Sequence, residues 1–210
     1  MISYSEMALP DLLDAFASNE PVPGGGSAAA LAGCLGVSLL IMVAGLPRTR
    51  TGSPEEAADL SEASARLRPM REALTMLIDD DSAAYSAVLE AMRLPKETDK
   101  EEAGRRQAIG VAMQRATEVP LDTMRHCQQA LRGAIVIARS GNRNAATDTT
   151  AAVELLRAGL LSAGMNVDVN LGGLTDAEMA ARIRAERNEL LEEGETEARQ
   201  AIEAALERAG

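Results

Sequence analysis

Residues 21–46 read PVPGGGSAAALAGCLGVSLLIMVAGL. The reading of this stretch decides the fold. Two prolines stiffen its start, and three glycines then free the backbone for a tight turn. From residue 28 to residue 46 there is no charge at all. That run is long enough to cross a bilayer. It also holds three glycines, a serine and five alanines, and no aromatic belt flanks it. A helix that is apolar all round equally suits a fully buried core position. The expectation is an all-α fold. It is a single-domain helical bundle with a buried Gly/Ala-rich central helix, capped by Ser27, and with no membrane partner.

The rest of the chain agrees with a bundle. Its 210 residues contain 39 alanines, no Trp, one Phe and two Tyr. Sheets lean on aromatic and β-branched side chains, whereas Ala, Leu, Met, Glu and Arg favour helix. So few aromatics also disfavour a stacking platform for single-stranded nucleic acid. The formal net charge is −11, from 21 Lys plus Arg and 32 Asp plus Glu. That field repels nucleic acid and anionic membranes. Two cysteines, Cys34 and Cys127, form no disulfide framework and point to a reduced, cytoplasmic setting. His126 is the only histidine, which excludes a multi-histidine metal site. The first twenty residues lack a signal-peptide pattern.

Helix signals run along the chain. Pro10 opens a first helix. Ser53-Pro54-Glu55-Glu56 starts a long one to about residue 92, bent at Pro69. Thr98 with Glu101 is a capping box for the next, which Pro120 kinks or splits before it ends near Gly141. Thr147 or Asp148 can cap a helix to about residue 165. Residues 166–170, Asn-Val-Asp-Val-Asn, alternate like a short strand. Thr175 with Glu178 caps a final charged helix. No linker or internal repeat divides residues 1–210, so one domain is expected.

Four polar clusters interrupt this pattern. Pro23-Gly24-Gly25-Gly26-Ser27 precedes a helix and can offer backbone amides to an anion or a polar ligand. It is no phosphate loop, because the Lys and Ser/Thr that would complete one are absent. Asp79-Asp80-Asp81 sits among apolar residues, so one acid should face the core. Asp81 and Tyr85 stand on one side of that helix. A buried carboxyl there would have a raised pKa, suited to acid–base work. The last two clusters are Asn142 to Asn144 with Asp148, and Asn166 with Asn170. Buried amides either tie helix ends together or hold a polar ligand. Cys127 and His126 are neighbours in sequence, so on a helix they diverge and do not make a catalytic dyad.

These clusters, in this order, resemble the cyclodeaminase/cyclohydrolase family of folate enzymes. That family includes the C-terminal domain of formiminotransferase-cyclodeaminase and stand-alone bacterial methenyltetrahydrofolate cyclohydrolases. The matching segments are PVPGGGSAAALAG at 21–33, IDDDSAAYSAVLEAMRLPK at 78–96, EVPL at 118–121, GNRNAATD at 141–148 and NVDVNLGGLTD at 166–176. The resemblance implies an all-helical homodimer acting on a tetrahydrofolate derivative, with no further cofactor and no metal. It makes Asp81 the catalytic residue. It implies a substrate site built from Pro23, Gly24, Gly25, Gly26, Ser27, Asp79, Tyr85, Asn142, Asp148, Asn166 and Asn170. The implied activity is formiminotetrahydrofolate cyclodeaminase or 5,10-methenyltetrahydrofolate cyclohydrolase. One departure is visible. Where family members often carry a Lys/Arg-rich stretch ending in Tyr, this chain reads LPRTRTG at 46–52. Arg48 and Arg50 are then the cations available for a folate glutamate tail. A folate- or metabolite-binding helical dimer without turnover is the alternative that this departure motivates.

Overall fold

Local chemistry starts the long helices where the sequence says they should start. Ser53 accepts the amide proton of Glu56 and Thr98 that of Glu101. Each Glu side chain reaches back to its cap, so two complete capping boxes form. The computed structural model describes residues 3–47 and 52–209, so Arg48 and Arg50 lie outside the described residues. The helices are α1 (Leu9–Phe16), α2 (Gly25–Gly45), α3 (Pro54–Met92), α4 (Asp99–Ser140), α5 (Ala146–Leu171) and α6 (Ala177–Ala209). One 3₁₀ turn, Arg143–Ala145, leads into α5. There is no strand among the described residues. The protein is an all-helical single domain with one main core.

α2 packs against α3 on one side and α5 on the other, and α4 packs against α3, α5 and α6. Glycine permits the closest of these approaches. A Cβ at Gly36 would stand 2.8 Å from the Ala152 carbonyl, and one at Gly159 would stand 2.8 Å from the Ala29 carbonyl. A Cβ at Gly33 would meet the Cys127 sulfur at 2.7 Å. Cys127 is wholly buried at this crossing, and burial pushes its thiol up to about 12, so it is an inert packing residue.

Several local expectations change. α2 begins at Gly25 with Gly24 as its cap residue, and no side chain caps it; Ser27 lies inside the helix. α2 buries Ala29, Ala30, Gly33, Gly36, Val37, Leu40 and Val43. Its other face leaves Ala28, Leu35 and Met42 exposed, so the helix is buried on one side within this chain. Pro69 and Pro120 both lie inside unbroken helices, so Pro120 does not split α4. Residues 166–170 are helical, not strand-like. Val167 is fully buried against the core, and that packing overrides a five-residue alternation. Asp176, not Thr175, accepts the first amides of α6, from Glu178 and Met179 at 3.0 Å each.

The N-terminal segment is tied to α3. Asp79 accepts the amides of Tyr4 at 2.6 Å and Ser5 at 3.3 Å, and the hydroxyls of Ser3 and Ser5. The Tyr4 hydroxyl donates to the Val22 carbonyl at 3.3 Å. This strap holds the 21–24 turn, which contains a cis bond between Val22 and Pro23, against the end of α2.

Candidate active site

Three adjacent carboxylates on α3 meet three different fates. Asp79 faces the N-terminal strap. Asp80 faces α4 and pairs with Arg115 at 2.7 Å on the half-exposed surface. Asp81 faces the N-terminus of α2. Successive residues on a helix turn through about 100°, so neighbours in sequence cannot share an environment.

Asp81 Oδ2 accepts the Ser27 backbone amide at 2.9 Å and the Ser27 hydroxyl at 3.2 Å. Burial raises the Asp81 pKa from its ordinary value, while the hydroxyl and amide of Ser27 pull the other way. The close approach requires Gly26, because a Cβ there would overlap Asp81 Oδ1. The glycine turn is thus a socket for a carboxyl of its own chain.

That carboxyl lies on the wall of a cleft of about 280 Å³. α2 contributes Gly25 and Gly26, α3 contributes Asp81, Tyr85 and Val88, and α4 contributes Met113. α5 adds Asn166 and Asn170, one helical turn apart. Asn166 Nδ2 donates to the Ser162 carbonyl at 2.9 Å, and Asn170 Nδ2 donates to the Ala116 carbonyl at 2.7 Å. Each amide keeps an oxygen and a second N–H for a ligand. The cleft therefore offers a carboxyl whose pKa burial raises, two carboxamides and the start of a helix, between apolar walls. Among the described residues, two larger hollows lie elsewhere, of about 510 Å³ around Arg66 and Arg132 and about 710 Å³ around Ala91 and Val111. Neither is lined by a carboxyl bonded to the first turn of a helix, so the smaller cleft has the stronger chemistry.

Not every expected residue joins it. Ser27 is fully buried behind Asp81 and has no surface in the cleft. Asp79 is consumed by the strap. Asn142 donates to the Pro47 carbonyl at 2.8 Å and accepts the Asn144 amide at 2.9 Å. It therefore sits beyond the C-terminal end of α2, about 31 Å of helix away from Gly25. Asp148, in the first turn of α5, belongs to the same distant end. Pro23 is buried and Gly24 borders the cleft. Met113 and Val88 escaped sequence reading. Their only signal was helical spacing on α3 and α4, which core residues share.

The family model described as formiminotransferase-cyclodeaminase matches residues 8–189. The chain belongs to this family. A methenyltetrahydrofolate cyclohydrolase of Methylorubrum extorquens is 41% identical over 86% of this chain and 87% of that protein. A formimidoyltransferase-cyclodeaminase of Mus musculus is 33% identical over 84% of this chain. This chain spans 32% of the length of the mouse protein. The crystal structure of a formiminotetrahydrofolate cyclodeaminase from Thermotoga maritima superposes with a TM-score of 0.79 at 24% identity. It covers 97% of this chain and 96% of its own, a match of fold.

Proposed function

We propose that this family member is a folate one-carbon enzyme acting as a 5,10-methenyltetrahydrofolate cyclohydrolase, with formiminotetrahydrofolate cyclodeamination the other reaction open to the same cleft. The observation that carries the reading is Asp81, a half-buried carboxyl bonded to the start of α2 on the wall of a polar-floored cleft. The 41% identity to a named cyclohydrolase, against 28–34% for the named cyclodeaminases, favours the first direction.

In that direction water adds to the methenyl carbon. Asp81 accepts the proton that the water loses and returns it to N5. The carbon–N5 bond then breaks as the hydroxyl on that carbon gives its proton to solvent, which leaves a neutral formyl group on N10. In the other direction N10 attacks the formimino carbon on N5, the N10 proton and one from Asp81 pass to the departing nitrogen, and ammonia leaves. Both need one proton carrier beside a carbon flanked by two nitrogens. The backbone of Gly24, Gly25 and Gly26 and the amides of Asn166 and Asn170 hold the pterin, with Tyr85 at the mouth. No cofactor beyond the folate is called for.

The same reading includes a homodimer in a reduced, cytoplasmic setting. The uncovered face of α2 carries Leu35 and Met42, 50% and 42% exposed. α5, which packs on α2, exposes Met165 and Val169 at 66% and 78%, with Val169 on the rim of the cleft. A second copy would cover the exposed face of α2 by two-fold pairing. Sedimentation should give twice the chain mass, and Leu35→Arg should halve it.

The functional test is the absorbance of the methenyl group. The protein should bleach it by adding water, and Asp81→Asn should lower the rate at least about 100-fold. Full turnover by Asp81→Asn, with the folate still bound, would refute the reading.

A further inference from the structure

We propose that Ser27 is a positioning residue that assigns different jobs to the two oxygens of Asp81, with Oδ2 kept as the anchored acceptor and Oδ1 as the oxygen that carries the proton in the cleft. The inference rests on the cyclohydrolase reading for its kinetic consequence, but not for its structural one.

The geometry is specific. Ser27 Oγ lies 2.8 Å from the Ile78 carbonyl, 3.2 Å from Asp81 Oδ2 and 3.1 Å from Ser82 Oγ. Both serines are buried, with Ser27 at zero exposure and Ser82 at 5%. A hydroxyl has a single proton to donate. Ser27 can therefore satisfy the Ile78 carbonyl or Asp81 Oδ2, but not both fully at once. The Ile78 carbonyl can spare it, since it lies within α3 and has the helix ladder available. Ser82 can donate to Ser27 Oγ and leave the Ser27 proton free to turn.

This makes Ser27 a rotor that responds to Asp81. When Asp81 is ionised, the hydroxyl proton turns to Oδ2 and joins the Ser27 amide there. When Asp81 takes up a proton, that proton goes to Oδ1, because Oδ2 already faces two donors. The rotor then returns to Ile78. Oδ1 lies over Gly26, whose missing side chain is the space it occupies on the cleft wall. The carboxyl thus exchanges its proton without moving, and the reorganisation is the swing of one buried hydroxyl. Such preorganised groups lower the cost of charge changes in a site shielded from water.

The experiment is a titration of the Asp81 carboxyl, followed by carbon NMR on protein labelled at aspartate, with Asp81→Asn assigning the resonance. Ser27→Ala removes the donor that favours the ionised form, so the midpoint should rise by about one pH unit. Ser82→Ala should raise it less and in the same direction; it supplies the answer if Ser27→Ala does not fold. In the methenyl assay the acid limb of the kcat profile should move up with the midpoint. That costs Ser27→Ala about tenfold in rate below both midpoints, with KM unchanged. A midpoint that stays put or falls in the folded variants overturns the assignment. So does a fall in kcat with no movement of the limb, which is what a merely structural serine would give. Absence of any turnover in the parent protein would sink the cyclohydrolase reading and leave the titration to decide the role of Ser27.

Discussion

The two ends of α2 use similar residues for different purposes. At its N-terminal end, Gly26 and Ser27 approach α3 so closely that Asp81 is locked onto the helix start. At its C-terminal end, Gly45 meets nothing within 4 Å, and Asn142 closes a turn by bonding the Pro47 carbonyl. Both ends are rich in Gly and Asn, and both matched family motifs. Among the described residues, the N-terminal end turns polar groups toward a cleft, while Asn142 is engaged within its own turn. A polar motif becomes a site when its groups are aimed at space rather than at one another. Sequence spacing cannot show that aim.

The sharpest way to break this contrast is to add the same methyl group at each end. Gly26→Ala places a Cβ on Asp81 Oδ1 and must displace the carboxyl. Turnover of methenyltetrahydrofolate should fall at least about 100-fold. Gly45→Ala fills open space at the last residue of α2, and should leave turnover intact and the fold no less stable. Absorbance kinetics and thermal melts on the two variants read both effects. Normal activity in Gly26→Ala would mean that Asp81 has room to move, and the socket would lose its meaning.

A smaller effect separates the asparagines. Asn170 borders the cleft and ties α5 to the Ala116 carbonyl on α4. Asn170→Ala should raise KM for the folate about tenfold, one lost hydrogen bond with its partner left buried. Asn142→Ala should cost about 1 kcal/mol of stability, as the loss of a turn cap does, and leave KM unchanged. If both variants moved KM alike, the distant corner would belong to a site completed by a second chain.

Much of this was legible beforehand, and the failures share a cause. The capping boxes at Ser53 and Thr98 were readable because each is complete within four residues. Asp81 was a candidate because its neighbours are apolar. Asp79 was misplaced because its partners, Tyr4 and Ser5, lie 75 and 74 positions away. Ser27 was read as a cap because serine before an apolar run is usually one. Its actual partners, Ile78, Asp81 and Ser82, appear only once α2 and α3 are packed. The strand-like alternation at 166–170 failed because Val167 is fixed by the core rather than by its neighbours. Local signals survive into the fold, and long-range pairings have no local signal.

The subtlest difference between the two ends is electrostatic, and it sets the sign of a pH effect. Burial holds the Asp81 carboxyl above its ordinary value, and the bonds from Ser27 offset that only in part. An acid whose folded pKa lies above its unfolded one is better tolerated protonated. Its contribution to stability is full below the unfolded pKa, near about 4, and is lost as pH rises through the folded pKa. Asp81→Asn has no proton to lose there. The Tm of this variant minus that of the parent should therefore climb as pH rises from below about 4 toward neutrality, then level off. Each kcal/mol involved corresponds to about 2–4 °C in a chain of this size. Asn142→Ala removes no titrating group, so its Tm difference should be flat over the same range. A difference for Asp81→Asn that fell with rising pH would mean that the Ser27 bonds outweigh burial. Folding would then lower the Asp81 pKa rather than raise it.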